Sequence, residues 1–273
     1  MCNFLAAIVK RNGDIIRKPD VTDSHEDLID FAGLVDHGYG EFVRIEFTAI
    51  DNQFSDMDAY RLSVDQLGTP DWWTNGMRER VEDSLRQQVR RMIVADNRKI
   101  LLGGCWIVVP GACVMRTLGA TVRMSGGEIK YMRGGEIKDM SGGEIKDMWG
   151  GEIKDMSGGE IKYMWRGKIK DMSGGEIKYM RGGEIKYMRG GEIKDMRGGE
   201  IKDMLGGEIK DMWRGEIKYM SGGEIKDMSG GKIQYMRGGK IQYMRGGKIR
   251  DMMGGKIQYM RGGKIKHDNR HGA

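Results

Sequence analysis

The sequence predicts a mainly β protein: a β-solenoid of octapeptide repeats, about two repeats per coil, preceded by a small α+β domain. Three observations carry that prediction. Residues 126–261 are one eight-residue unit written seventeen times without insertion or deletion, beginning Gly126-Gly127-Glu128-Ile129-Lys130-Tyr131-Met132-Arg133. The second, fourth and seventh positions are Gly, Ile and Met in every unit, whereas the remaining positions vary. The chain before residue 103 lacks the period and reads as short strands and two helices.

Within the unit, the sixth position accepts Asp or Tyr and the eighth accepts Arg, Ser, Trp, Leu or Met. A close-packed site responds to a single methylene, so such positions face outward and Ile and Met face inward. A glycine pair every eight residues excludes a continuous helix, because each interior Gly costs about 1 kcal/mol against Ala. Glu-Ile-Lys alternates polar and apolar at the strand period, and the Gly pair supplies a corner. One unit cannot bury its own Ile and Met, but stacked coils can. Two units per coil is the expected winding, since two apolar residues per unit fill a thin core; three is the alternative. At two per coil the array spans roughly 40 Å. The variable positions differ by single-base codon changes, the pattern of a recently expanded array whose outer surface drifts.

From the start, the apolar run 4–9 reads as a buried strand, Asn12-Gly13 as a hairpin turn and 14–17 as the return strand. Asp23 with Glu26 fits a capping box opening a helix whose stripe is Leu28, Ile29 and Ala32 and whose stop is Gly33. Val43, Ile45, Phe47 and Ala49 alternate with polar residues, and residues 60–64 repeat the pattern. After the Asp71-Trp72-Trp73 turn, a helix over 76–94 places Met77, Val81, Leu85, Val89 and Met92 on one face. Its opposite face mixes five Arg with acids and reads as salt-bridged and solvated. The expected domains are 1–102 (α+β), 103–125 (degenerate capping repeats), 126–266 (solenoid) and 267–273 (frayed tail). The capping repeats keep the phase through Gly119-Ala120-Thr121-Val122 and then lose one residue before the regular array.

The net charge of +6 is unevenly divided. Residues 1–125 carry 15 basic and 18 acidic side chains, residues 126–229 carry 20 of each, and residues 230–273 carry 11 basic and 2 acidic. The last segment therefore holds +9, chiefly because the third position changes from Glu to Lys. Three Cys fit neither a metal-ligand spacing nor a complete disulfide set. The apolar run 4–9 is too short for a secretory leader, and no stretch reaches the roughly 20 apolar residues of a membrane span. A cytoplasmic location, no membrane association and no cofactor are expected.

The opening Met1-Cys2-Asn3-Phe4, the Thr22-Asp23-Ser24-His25-Glu26-Asp27 helix start, the Asp71-Trp72-Trp73 turn and the Gly-Gly-x-Ile array resemble phage- and prophage-encoded proteins of unknown function. Those proteins pair a small N-terminal domain with tandem Gly-Gly-x-Ile octapeptides. The resemblance covers nearly the whole chain and implies a phage or prophage origin and an intracellular location. It carries over no functional residue. Here Glu or Lys stands where many members have Thr, and Met where many have Val.

Two residues are candidates for catalysis. Cys2 would become an N-terminal nucleophile on removal of the initiator Met, with the terminal amine as its base; the bland reading is a small residue heading a strand. His25, among Asp20, Asp23 and Asp27, suits acid/base work, but His and acids at a helix start also cap amides and meet the dipole. No metal site is expected. Lys232, Arg237, Lys240, Arg245, Lys248, Arg250, Lys256, Arg261 and Lys264 are candidates for weak, sequence-blind polyanion binding. Trp149, Trp165 and Trp213 look irregularly placed along the chain, which favours drift over a stacking platform.

The function these features imply is a non-enzymatic interaction or scaffold protein with a protein partner, its solenoid rod displaying the N-terminal domain. The alternatives are an N-terminal-Cys enzyme of acyl-transfer or amidohydrolase type with the solenoid as spacer, and a nucleic-acid or polyanion binder acting through the basic repeats.

Overall fold

The structure is a computed structural model, and it describes residues 5–17, 24–35, 40–53 and 56–270. The chain divides into two compact units, one ending at Ile93 and the other starting at Val94.

The first unit is α+β. Strand β1 (Leu5–Lys10) pairs antiparallel with β2 (Ile15–Ile16) across the Asn12-Gly13 turn, where Gly13 takes φ 88° and Asn12 accepts from the Asp14 amide. Strands β3 (Phe42–Ala49) and β4 (Tyr60–Val64) complete a four-stranded sheet in the order β2-β1-β3-β4. Helix α1 (His25–Phe31) buries Leu28 and Ile29 and gives way to Gly33 in the left-handed region. Its N-cap is Ser24, which accepts from the Asp27 amide, one residue later than the capping box expected at Asp23; Asp23 lies outside the described residues. Helix α2 (Asn75–Met92), capped by Thr74, buries Val81, Leu85 and Val89 as its stripe predicts. Two arginines on its other face are structural. Arg78 donates to the Leu62 carbonyl, while Arg86 pairs with Glu82, donates to the Tyr60 carbonyl and lies over the Phe47 ring.

The second unit is a β-solenoid of about eleven turns. It starts with β5 (Ile93–Val94), β6 (Asn97–Arg98), β7 (Leu101–Leu102), β8 (Cys105–Val108), β9 (Cys113–Leu118) and β10 (Thr121–Met124). From β11 (Glu128–Met132) to β28 (Lys264–Asp268) each repeat contributes one strand. Successive strands alternate between two all-parallel sheets, and from β11 on the paired residues are sixteen positions apart: Ile129 with Ile145, Met132 with Met148. Two repeats therefore make one coil, and the stack rises roughly 50 Å at the spacing of hydrogen-bonded strands. The amides at the corners bond the coil below as well, Arg189 N to Met172 O at 2.8 Å and Glu192 N to Gly175 O at 2.9 Å.

Ile and Met are three residues apart, a spacing that strict alternation would split between the two faces. The coil resolves this by leaving two consecutive outward residues between them, and the ladder pairs skip the fifth position. From Ile129 to Met252 every Ile and Met of the array is at most 1% exposed. The residue missing after Val122 is located by the ladder. Val122 pairs with Ile137 but Arg123 with Asp139, so the shortfall is absorbed as an irregularity opposite Lys138 in β12 (Glu136–Met140).

Ile93 and Val94, expected at the end of the second helix, form β5 instead, and β5 to β7, all within the expected α+β domain 1–102, pair in the solenoid's sheets. At the other end, His267 and Asp268, expected in a frayed tail, complete β28 in register with Asp251 and Met252. Ile257 and Ile265 are only partly buried there and Met260 is 47% exposed.

Candidate interaction surface

The winding turns each outward repeat position into a column with one residue per coil, and two diagonal rules govern the columns. The first joins the third position to the fifth position of the next coil. Lys146 meets Glu128 at 3.0 Å, Lys178 meets Glu160 at 2.6 Å, Lys202 meets Glu184 at 2.9 Å and Lys210 meets Glu192 at 2.7 Å. Hydrogen bonding to these carboxylates holds all four lysines above their ordinary pKa. Exposed pairs of this kind contribute little individually. The second rule joins the sixth position to the eighth of the next coil. Trp165 donates to Asp147 at 3.1 Å, Arg189 pairs with Asp171 at 2.9 Å, and Arg181 lies over the Tyr163 ring.

The basic end follows the first rule with exchanged partners. Where the third position becomes Lys, it pairs with the Glu directly below: Lys232 with Glu216 and Lys240 with Glu224. Gln234 takes the diagonal place and bonds Glu216, and the two together hold the Glu216 carboxyl below its ordinary range. The candidate polyanion residues separate onto both sheets. Lys232, Lys248 and Lys264 form one column in register, whereas Lys240 and Lys256 form another on the opposite sheet. Arg245 pairs with Asp227 and Arg250 with Asp251, while Arg237 lies over Tyr219. Lys248, Lys256, Arg261 and Lys264 carry no ion pair among the described residues.

One sheet also stacks three acids, Asp139, Asp155 and Asp171, in consecutive coils. Partial burial, then the like charges of Asp139 and Asp171, raise the Asp155 pKa above the ordinary carboxyl value. The side chain remains exposed, so the effect is screened and small. A raised carboxyl pKa means the folded state holds its proton more tightly. The resulting cost is absent at pH below the unfolded-state value and fully present above the folded-state value. Asp155→Asn is therefore expected to raise the melting temperature slightly at pH 7 and to lose that advantage by about pH 3, measured by thermal scans at both pH values.

The columns also show where the array tryptophans lie. Trp149, Trp165 and Trp213 differ by 16 and 48 residues, multiples of one coil, so all three stand at a single corner. Unevenly spaced along the rod, one and three coils apart, they nevertheless share one column. At that corner the eighth position reads Arg133, Trp149, Trp165, Arg181, Arg197 and Trp213, then Ser229, Arg245 and Arg261, and both first-position exceptions, Arg166 and Arg214, adjoin it. The opposite corner carries Ser141, Ser157, Ser173 and Ser221 together with Arg189, Leu205, Arg237 and Met253, and no Trp. Trp149 and Trp165 stack at 5.1 Å with planes 6° apart, and Arg181 covers Trp165 at 4.8 Å. Beside this corner runs an open groove of about 1070 Å³. Its floor is the second-position glycines Gly135, Gly151, Gly167, Gly183, Gly199 and Gly215. One wall is Glu136, Glu152, Glu184, Glu200 and Glu216 with Lys168, and Trp149 and Arg166 line the other side.

In the first unit, His25 is a buried strut. Its Nδ1 lies 3.0 Å from Asp65 Oδ2 and its Nε2 lies 3.0 Å from the Ile45 carbonyl oxygen. A carbonyl only accepts, so Nε2 carries a proton and donates it. Both ring nitrogens are thus engaged within the fold, tying α1 to β3 and to the residue that follows β4. The ring faces these groups and not the helix amides, and its acidic partner lies forty residues away, where no local spacing could reveal it. Cys2, Asp20 and Asp23 lie outside the described residues. Cys105 and Cys113 are unbridged, in strands of opposite sheets. Among the described residues no group of three or more His, Cys, Asp or Glu is placed to hold a metal, and no helix is long and apolar enough to cross a membrane.

No protein-family model matches the chain, and no curated protein and no solved structure matches it either.

Proposed function

We propose that this chain is a non-enzymatic interaction protein whose solenoid rod acts as a scaffold, presenting outward side chains to a protein partner. One observation carries the reading. The Ile and Met core and the second-position glycines recur unchanged over the whole array, while the variation lies in outward columns and, at Arg166 and Arg214, in the first glycine position. Such a surface offers the same chemical group at fixed intervals, which multiplies weak contacts along an extended partner. A cytoplasmic location and a phage or prophage origin belong to the same reading and rest on the sequence resemblance.

Amine-reactive crosslinking of the full chain in cell lysate tests it. The expected result is a partner recovered at fixed stoichiometry, with crosslinks on fifth-position lysines such as Lys146, Lys178 and Lys210. Crosslinks confined to residues before Val94, or turnover of a substrate without any stable partner, would overturn the scaffold reading.

A further inference from the structure

We propose that the tryptophan- and arginine-bearing corner and its glycine-floored groove form a binding trough for an uncharged linear polysaccharide. The inference builds on the reading of the solenoid as an interaction scaffold and names a ligand class for one corner of it.

The first support is segregation. The variable eighth position occurs nine times at one corner and eight at the other, yet all three array tryptophans and both first-position arginines fall at the first. Replacing a first-position glycine there is not free of structural effect. Gly167 and Gly215, which follow Arg166 and Arg214, have φ of 94°, the largest in the array, and the Arg166 amide reaches the Met148 carbonyl only at 3.4 Å. The corner opens slightly to accept each arginine; Arg166 lines the groove, and Arg214 directly precedes Gly215 of its floor.

The second support is charge. The groove lining holds five glutamates and two cations, Arg166 and Lys168, which alone would favour a cationic ligand. Three of those glutamates are already committed: Glu136 to Lys154 at 3.0 Å, Glu184 to Lys202 at 2.9 Å and Glu216 to Lys232 at 3.2 Å. Glu152 and Glu200 carry no ion pair among the described residues, nor do Arg166 and Lys168. The groove therefore presents two carboxylates and two cations, a balanced set. A polyanion would meet the glutamate wall and a polycation would meet Arg166 and Lys168. A neutral chain rich in hydroxyls can donate to the carboxylates and accept from the cations.

The third support is form. A glycine floor has no side chains, so a flat ligand can approach the backbone closely. Trp149 is 45% exposed and Trp213 54% exposed, large aromatic surfaces beside hydrogen-bonding groups. This pairing of an apolar face with polar neighbours suits a sugar ring, which is apolar on its faces and polar at its rim. The groove extends unbranched along six glycines one coil apart, which fits a polymer better than a small molecule.

The test is native affinity electrophoresis of the full chain through gels containing soluble neutral glucan, mannan or galactan, with heparin and DNA gels alongside. Retardation by at least one neutral polysaccharide is expected. The double variant Trp149→Ala with Trp213→Ala should weaken it about tenfold or more, as expected for truncating exposed aromatic anchors. The opposite-corner variant Ser173→Ala should leave it unchanged, and circular dichroism should show both variants folded. Glu152→Gln with Glu200→Gln, which keeps the core intact, should weaken binding without aromatic loss. Absence of retardation by every neutral polysaccharide would overturn the proposal. So would retardation only by heparin or DNA, or equal loss in the Ser173 variant. Any of these results leaves the scaffold reading standing, because its crosslinks report protein partners.

Discussion

Replacing Ile193 with Asp is expected to cost roughly 4 kcal/mol or more, enough to break the stack where it occurs. Ile193 is fully buried, pairs with Ile177 below and Ile209 above, and belongs to one continuous cluster that runs through the whole array. Loss of the side chain leaves a cavity, and the carboxyl finds neither water nor a hydrogen-bond donor in the core. In a linear array each coil contacts only its neighbours, so the damage divides the rod instead of melting it uniformly. Urea unfolding followed by far-UV circular dichroism should change from one transition to two, and limited proteolysis should cut near residue 193. By contrast, Asp195→Tyr, two residues away, should stay within about 1 kcal/mol. It sacrifices the exposed Asp195–Arg197 pair but sets a Tyr above Tyr179, the stacking already present between Tyr163 and Tyr179. A single shallow unfolding transition shared by both variants would refute the dry-core account.

Gly191→Ala is expected to cost roughly 2–5 kcal/mol although it adds a single methyl group. Gly191 has φ of 79°, a conformation that L-residues avoid. Its added Cβ would also lie 2.7 Å from Met172 Cε and 2.8 Å from the Gly175 carbonyl oxygen. The contact with Met172 is the informative one, because it recurs through the array. The terminal methyl of each seventh-position Met lies against the second-position Gly of the following coil, as Met180 does at Gly199 and Met188 at Gly207. Gly and Met are therefore two halves of one packing contact. Combining Gly191→Ala with Met172→Ala should cost less than the sum of the separate changes, by a coupling energy of about 1 kcal/mol. Gly150→Ala is the control. Its φ is not positive and its nearest obstacle, the Arg133 carbonyl oxygen, is 3.2 Å away, so about 1 kcal/mol or less is expected. Chemical denaturation of the two single variants, their combination and the Gly150 control tests the contact, and additive costs, or equal costs at Gly150 and Gly191, would refute it.

Much of this architecture is legible in the sequence because the chain repeats and the physics is local. A period of eight, an invariant Ile and Met, and a glycine pair are enough to exclude helix, to place strands between corners and to separate inward from outward positions. The hairpin at Asn12-Gly13 and the apolar stripe of α2 follow from equally local rules. Even the missing residue after Val122 could be read as a break in phase, which the ladder then places opposite Lys138.

What the sequence alone left open depends on how many residues close one coil, and on that point periodicity says nothing. A period of eight is compatible with sixteen or twenty-four residues per turn, and only the ladder between parallel strands selects sixteen. That choice decides every neighbour at long range. It aligns Trp149, Trp165 and Trp213 at one corner, where octapeptide counting shows scatter. It brings Lys146 to Glu128 and Gln234 to Glu216 across eighteen residues. It also brings the terminal methyl of each seventh-position Met beneath the glycine of the next coil, a reach that its long, unbranched side chain supplies. The first unit follows the same division. Helix α1 was apparent from its caps and stripe, but the partners of His25, Asp65 and the Ile45 carbonyl, were not. Secondary structure is set by neighbours along the chain, whereas columns, grooves and buried polar pairs are set by closure, which only the tertiary structure decides.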